Sequence, residues 1–201
     1  MELFSPDPHQ NLLPYDGEVN YFGPIMAESE ARGYFDNLRG NVPWKNDESV
    51  LFGKHIITAR QVAWFGDGAY VYKYSGSTKQ ASPWTPELEM IRALVEKKAQ
   101  TRFNSCLLNL YHHGNEGMGW HRDNEDSLIK QGTIASLSLG AERSFNFKHV
   151  TRKETVSLLL ENGSLLLMKG ATQSHWLHCL PKTKKVSTPR INLTFRCFKA
   201  K

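Results

Sequence analysis

Apolar residues recur at helical spacing in two places in the first half of this chain, and alternate with polar ones through much of the second. From Ile25 to Leu38 the positions Ile25, Ala31, Tyr34, Phe35 and Leu38 fall near one helical face. They predict a helix, weakened by Gly33 and ended by Gly40. Thr85-Pro86 supplies a cap and a first-turn proline, and Leu88, Ile91, Leu94 and Val95 continue on one face, so a second helix is predicted there. Between the two, from Val50 to Tyr74, β-branched and aromatic residues surround a Gly66-Asp67-Gly68 turn and read as hairpins. After about Arg102 the period becomes two, clearest at Ala135, Leu137 and Leu139 and at Phe145 and Phe147. Asn162-Gly163, between two leucine-rich runs, predicts a hairpin turn. Helices first and many short strands after give an α+β class, and a two-sheet jelly roll would place a site inside its mouth. Residues 1–20 hold three prolines and read as an extended lead-in, leaving 21–201 as a single domain large enough for a real core.

Charge sharpens this picture. Residues 1–50 carry nine acidic and three basic side chains, whereas from Arg143 onward only Glu154 and Glu161 oppose twelve lysines and arginines. The net charge of +5 therefore hides a basic second half that attracts polyanions. No run of 18 apolar residues is present, so no membrane-spanning helix is expected. The N-terminus has no basic segment followed by an apolar one, and three cysteines fit reduced thiols better than a disulfide set. A cytoplasmic bacterial location is expected, with the nucleus as the second choice.

The longest strict alternation carries the chemistry. Arg190, Asn192, Thr194 and Arg196 share one face, and Ile191, Leu193, Phe195 and Cys197 the other. A strand of six residues spans roughly 20 Å. Two arginines leaning together would close most of that gap and grip a short diacid, a task that guanidinium suits through paired hydrogen bonds. Upstream, His121 and Asp123 lie two apart and point the same way from one strand or strand end. Two imidazoles and a carboxylate leave three positions open on a metal, the arrangement of non-haem Fe(II) oxygenases. The third ligand has two candidates, His175 and His178. A zinc enzyme using the same histidines would leave the arginine strip unexplained.

Taken in order, these residues resemble the AlkB family of Fe(II)- and 2-oxoglutarate-dependent oxygenases. The likeness runs from about Tyr21 to the C-terminus through Asn109-Leu-Tyr111, His121-Arg-Asp123, Ala135 to Gly140, Asn162 to Leu166, His175 to His178 and Pro189 to Arg196. The resemblance implies a double-stranded β-helix core, iron held by His121, Asp123 and His178, and 2-oxoglutarate bound by Asn109, Tyr111, Arg190, Asn192, Thr194 and Arg196. O₂ would be the second cosubstrate. The chain looks most like the homologues that repair double-stranded DNA. About residues 45–80 would form a nucleotide-recognition lid, with Phe52 on a hairpin finger, Arg60 shortly after it, and Tyr72 and Tyr74 on an aromatic segment. Lys182, Lys184 and Lys185 match a basic loop, with Thr183 where an arginine is common, and Asn124 stands where an aspartate is common. Glu125 would face a cationic base. The implied activity is oxidative removal of methyl groups from 1-methyladenine and 3-methylcytosine in DNA, by a monomer that flips the base, releasing succinate, CO₂ and formaldehyde. The rivals are an AlkB-like oxygenase acting on RNA and a non-catalytic nucleic-acid-binding module.

Overall fold

A computed structural model describes residues 7–51, 54–68, 71–74 and 77–199. The chain enters through β1 (Glu18–Pro24) and α1 (Glu28–Asn41). The hairpins β2 (Lys45–Leu51) with β3 (Lys54–Gly66) and β4 (Val71–Tyr74) with β5 (Ser77–Gln80) follow, then α2 (Pro86–Ala99). The remainder is β6 (Ser105–Tyr111), β7 (Met118–His121), β8 (Ile134–Gly140), β9 (Arg143–His149), β10 (Thr155–Leu160), β11 (Ser164–Lys169), the one-turn α3 (Thr172–His175), β12 (Trp176–Leu180) and β13 (Arg190–Arg196).

Two antiparallel sheets form the body. One has seven strands in the order β1-β11-β8-β13-β6-β3-β2, the other four in the order β10-β9-β12-β7. The alternation read from the sequence explains how they stack. Ile191, Leu193 and Phe195 of β13, with Cys106, Leu108 and Leu110 of β6, pack against Phe35 and Leu38 of α1 and Leu88 and Ile91 of α2. The opposite faces turn toward the four-stranded sheet, where Leu166, Met168 and Tyr111 meet Phe145, Phe147, Trp176 and Leu180. The expected α+β jelly roll is therefore the observed fold. The polar face of β13 looks into the space between the sheets and not into solvent.

Two local expectations change. The first helix runs through Gly40 to Asn41 and stops at Val42, which is extended at φ −76° and ψ 135°. Val42 precedes Pro43, and a residue before proline is driven out of the helical region. Asn162-Gly163 does not close a hairpin. Its flanking strands, β10 and β11, belong to different sheets, and the turn carries the chain across the sandwich. Gly163 takes φ +75° there, and Asn162 Oδ1 accepts the Gly140 N–H at 2.8 Å. The second helix starts as expected, with Thr85 accepting the Leu88 N–H. From Asp7 onward the lead-in is irregular until β1 begins at Glu18, with Leu13 buried.

Candidate active site

His121 ends β7 and stands directly opposite His178 on β12 in the antiparallel register. Their ring centroids are 4.2 Å apart. Asp123 follows in the loop beyond β7, and ligand atoms of the three residues lie within 4.8 Å of one another. His175, the other sequence candidate, is part of α3 and faces a different cluster, with Asp16 and His149. His175 closes the helical turn and β12 begins at the next residue, so the two histidines belong to different elements.

Each of the three side chains is prepared to donate a lone pair. His121 Nδ1 lies 2.9 Å from the Gly119 carbonyl, which can only accept, so Nδ1 carries the proton and Nε2 is left as a donor. His178 is buried, and burial, reinforced by the neighbouring His121, pushes its pKa down to about 3 although Asp123 opposes the shift. It is neutral at physiological pH. Burial alone would raise the Asp123 carboxyl, but Arg196, His178 and His121 together outweigh it and hold the group below its ordinary value. Arg196 donates to Asp123 Oδ1 at 2.9 Å, and Gln173 Oε1 accepts the Asp123 N–H at 2.9 Å. Two imidazoles and one carboxylate are the donor set that suits a ferrous ion with open positions.

The same cavity holds the polar face of β13. His121, Asp123, His178, Asn109, Tyr111, Arg190, Asn192, Thr194 and Arg196 all line it, as do Arg60 and Glu125. Arg190 is 2% exposed and donates to Ser138 Oγ at 2.9 Å, with its guanidinium 5.7 Å from the Tyr111 ring centre. Burial, with Arg143 adding to it and Tyr111 opposing, lowers its pKa to about 10, so it remains charged at neutral pH. No carboxylate among the described residues pairs with it. A buried charge is costly unless paired, so the cavity is built to receive an acid at Arg190. The neighbouring cations differ. Arg196 is paired with Asp123, and Arg60 with Asp47.

Other expected contacts are partly engaged within the protein. Asn192 donates to Ser136 Oγ and the Leu137 carbonyl and accepts from Thr194. Asn109 Oδ1 accepts from Arg60, which puts this arginine in the cavity wall. Lys182, Lys184 and Lys185 are exposed on the loop between β12 and β13. That loop is fastened below by Thr183 N–H to the Gly114 carbonyl and Gly114 N–H to the Val186 carbonyl, both at 2.8 Å. Phe52 lies outside the described residues, as do the side chains of Tyr72 and Tyr74, whose backbones belong to β4.

Two residues that the sequence reading passed over support this arrangement. Arg143 is buried and donates to the carbonyls of Gly114, Glu116 and Pro181, tying the lysine loop to the turn after β6. A signal for it existed, because Arg143 is in phase with Phe145 and Phe147 on the inward face of β9. Gln173 holds the Asp123 backbone from α3 and donates to Met168 Sδ. Nothing in the local pattern distinguishes it.

The family model of the 2OG-Fe(II) oxygenase superfamily matches residues 18–196. Among curated proteins, the DNA oxidative demethylase ALKBH2 of Bos taurus is 43% identical over 183 residues, covering 86% of this chain and 66% of its own length. The Homo sapiens protein of that name is also 43% identical, with 70% of its length covered. The alpha-ketoglutarate-dependent dioxygenase alkB homolog 3 of Bos taurus is 38% identical over 83% of this chain and 61% of its own. The solved structure of OsALKBH1 superposes with a TM-score of 0.63 at 17% identity, covering 92% of this chain and 98% of that one, a likeness of fold. The chain thus belongs to the AlkB family within the 2OG-Fe(II) oxygenase superfamily. It is a dioxygenase of the class that uses Fe(II), 2-oxoglutarate and O₂.

Proposed function

We propose that this protein removes N-linked methyl groups from bases in DNA, acting on 1-methyladenine and 3-methylcytosine. The observation that carries the reading is Arg190, a buried cation without an acid partner among the described residues, in the cavity that holds His121, Asp123 and His178. The names of the ALKBH2 relatives, DNA oxidative demethylases, supply the substrate class.

His121, Asp123 and His178 would hold the iron. With 2-oxoglutarate and O₂ bound there, the site supplies hydroxylation of the N-methyl carbon, coupled to decarboxylation of the cosubstrate to succinate. The hydroxymethyl group then leaves as formaldehyde and the base regains its unmethylated nitrogen. Arg190 takes the distal carboxylate of the cosubstrate, with Tyr111 alongside. Arg196 fixes the Asp123 carboxylate by a charge-assisted bond, so that the ligand keeps one orientation. Asn109, Asn192 and Thr194 form a hydrogen-bonded wall that orients the diacid. Glu125, on the cavity wall, presents a carboxylate toward the cationic methylated base. The base must leave the helix to reach this cavity. In this reading Tyr74 and the His121 ring would stack on its two faces, Tyr72 would belong to the aromatic lid, and Phe52 would fill the gap left in the stack. Lys182, Lys184 and Lys185 bind phosphates without reading sequence. Duplex DNA is the preferred form, handled by a monomer.

The test is formaldehyde release from oligonucleotides that each carry one 1-methyladenine or 3-methylcytosine, presented as duplex DNA, single-stranded DNA and RNA. Release of one formaldehyde per repaired base, fastest on duplex DNA, is expected. Release from RNA alone would replace the DNA reading. Phe52→Ala should slow repair of duplex more than of single strands, and equal slowing on both would remove the wedge role.

A further inference from the structure

We propose that Asp16, His149 and His175 form a second divalent-metal site, of the kind that takes Zn(II), where the lead-in meets the four-stranded sheet. The inference is independent of the cavity chemistry, because none of the three residues lines the cavity. Ligand atoms of the three lie within 4.8 Å of one another. Around a tetrahedral zinc, ligand atoms sit about 3.4 Å apart. The remaining approach falls to Asp16 and His175, both exposed, while His149 is held in place.

His149 is the anchor. It ends β9, is 2% exposed, and is boxed edge-on by Tyr15 and by Trp176, its register partner on β12. Its Nε2 is buried and makes no hydrogen bond. Asp16 Oδ2 is 3.3 Å away but not placed to accept an N–H from that atom. The other nitrogen, Nδ1, accepts the N–H groups of Arg152 at 3.1 Å and Thr151 at 3.4 Å, which leaves Nε2 as the ring atom that faces Asp16. An ion at Nε2 supplies the partner that this atom lacks. The ring proton then moves to Nδ1, where Thr151 Oγ1 at 3.2 Å can accept it. Ion binding therefore requires the Arg152 and Thr151 N–H groups to give up Nδ1. His175 holds its ring parallel to that of His149 within 2°, at 6.1 Å between centroids. Two imidazoles and one carboxylate match the nitrogen and oxygen preference of zinc, with water completing the coordination. A bound ion would clamp the lead-in at Asp16 onto β9 and α3.

The experiment is equilibrium dialysis of the full chain against micromolar Zn(II), followed by metal analysis. Zinc also enters the cavity site, so the wild type should retain two equivalents per chain. His175→Ala and Asp16→Ala, at exposed positions that leave the core intact, should each retain one. Zn(II) should also slow proteolysis of the lead-in in the wild type and not in His175→Ala. Equal zinc retention by the wild type and His175→Ala would overturn the site, as would lead-in protection that persists in that variant.

Discussion

Arg190 brings a positive charge to a place where the protein offers it one hydroxyl and the face of Tyr111. Of the other cavity arginines, Arg60 and Arg196 each face an aspartate, and Arg122 donates to the Ser174 carbonyl. The contrast marks Arg190 as the buried cavity cation with no carboxylate partner among the described residues. Gln173 works by a quieter route. Asp123 lies beyond the end of β7, so the strand ladder that fixes His121 against His178 does not fix it. Its side chain is held by Arg196 and its backbone by Gln173. Partners of this kind are worth 10–100-fold in metal affinity. Gln173→Leu should therefore weaken binding of Mn(II), read by calorimetry, by at least about 10-fold, and Gln173→Glu, which keeps the accepting oxygen, should restore most of it. Unchanged affinity in Gln173→Leu would show that Arg196 alone positions the aspartate.

At the level of elements, period-two alternation made β13 legible from residue types alone, including which side of it would face the cavity. The spacing of His121 and Asp123 was legible as a pair at a strand end, although Asp123 itself lies beyond β7. What could not be read was how neighbouring elements meet. Asn162-Gly163 makes a tight turn whether the strands it joins pair or part, and here they part into different sheets. His175 and His178 are separated by the end of a helical turn too short to leave a periodic signal. The lysine loop depends on a close approach of the same hidden kind. A Cβ at Gly114 would meet the Thr183 carbonyl at 2.3 Å and the Val186 carbonyl at 2.8 Å. Gly114→Ala should push that loop away. DNA affinity should fall severalfold and its salt dependence should flatten, with 2-oxoglutarate binding unaltered. Loss of both together would mean that the substitution unfolds the site instead.

For the whole molecule, the sandwich explains why an active site can be assembled from distant segments. The seven-stranded sheet contributes the polar face of β13, the four-stranded sheet contributes the histidines, and burial between them lowers the His178 pKa to about 3 and leaves Arg190 with a hydroxyl as its hydrogen-bond partner. The excess of basic residues in the second half of the chain suits a polyanionic partner. The most direct test is calorimetry of 2-oxoglutarate binding to protein loaded with Mn(II), a redox-silent stand-in for iron, in the wild type, Arg190→Ala and His178→Ala. Loss of a buried charge partner should weaken binding on the order of 100-fold in Arg190→Ala, with Mn(II) affinity preserved, whereas His178→Ala should lose the metal. Wild-type affinity for 2-oxoglutarate in Arg190→Ala, or undiminished Mn(II) binding in His178→Ala, would contradict a single cavity that holds both metal and diacid.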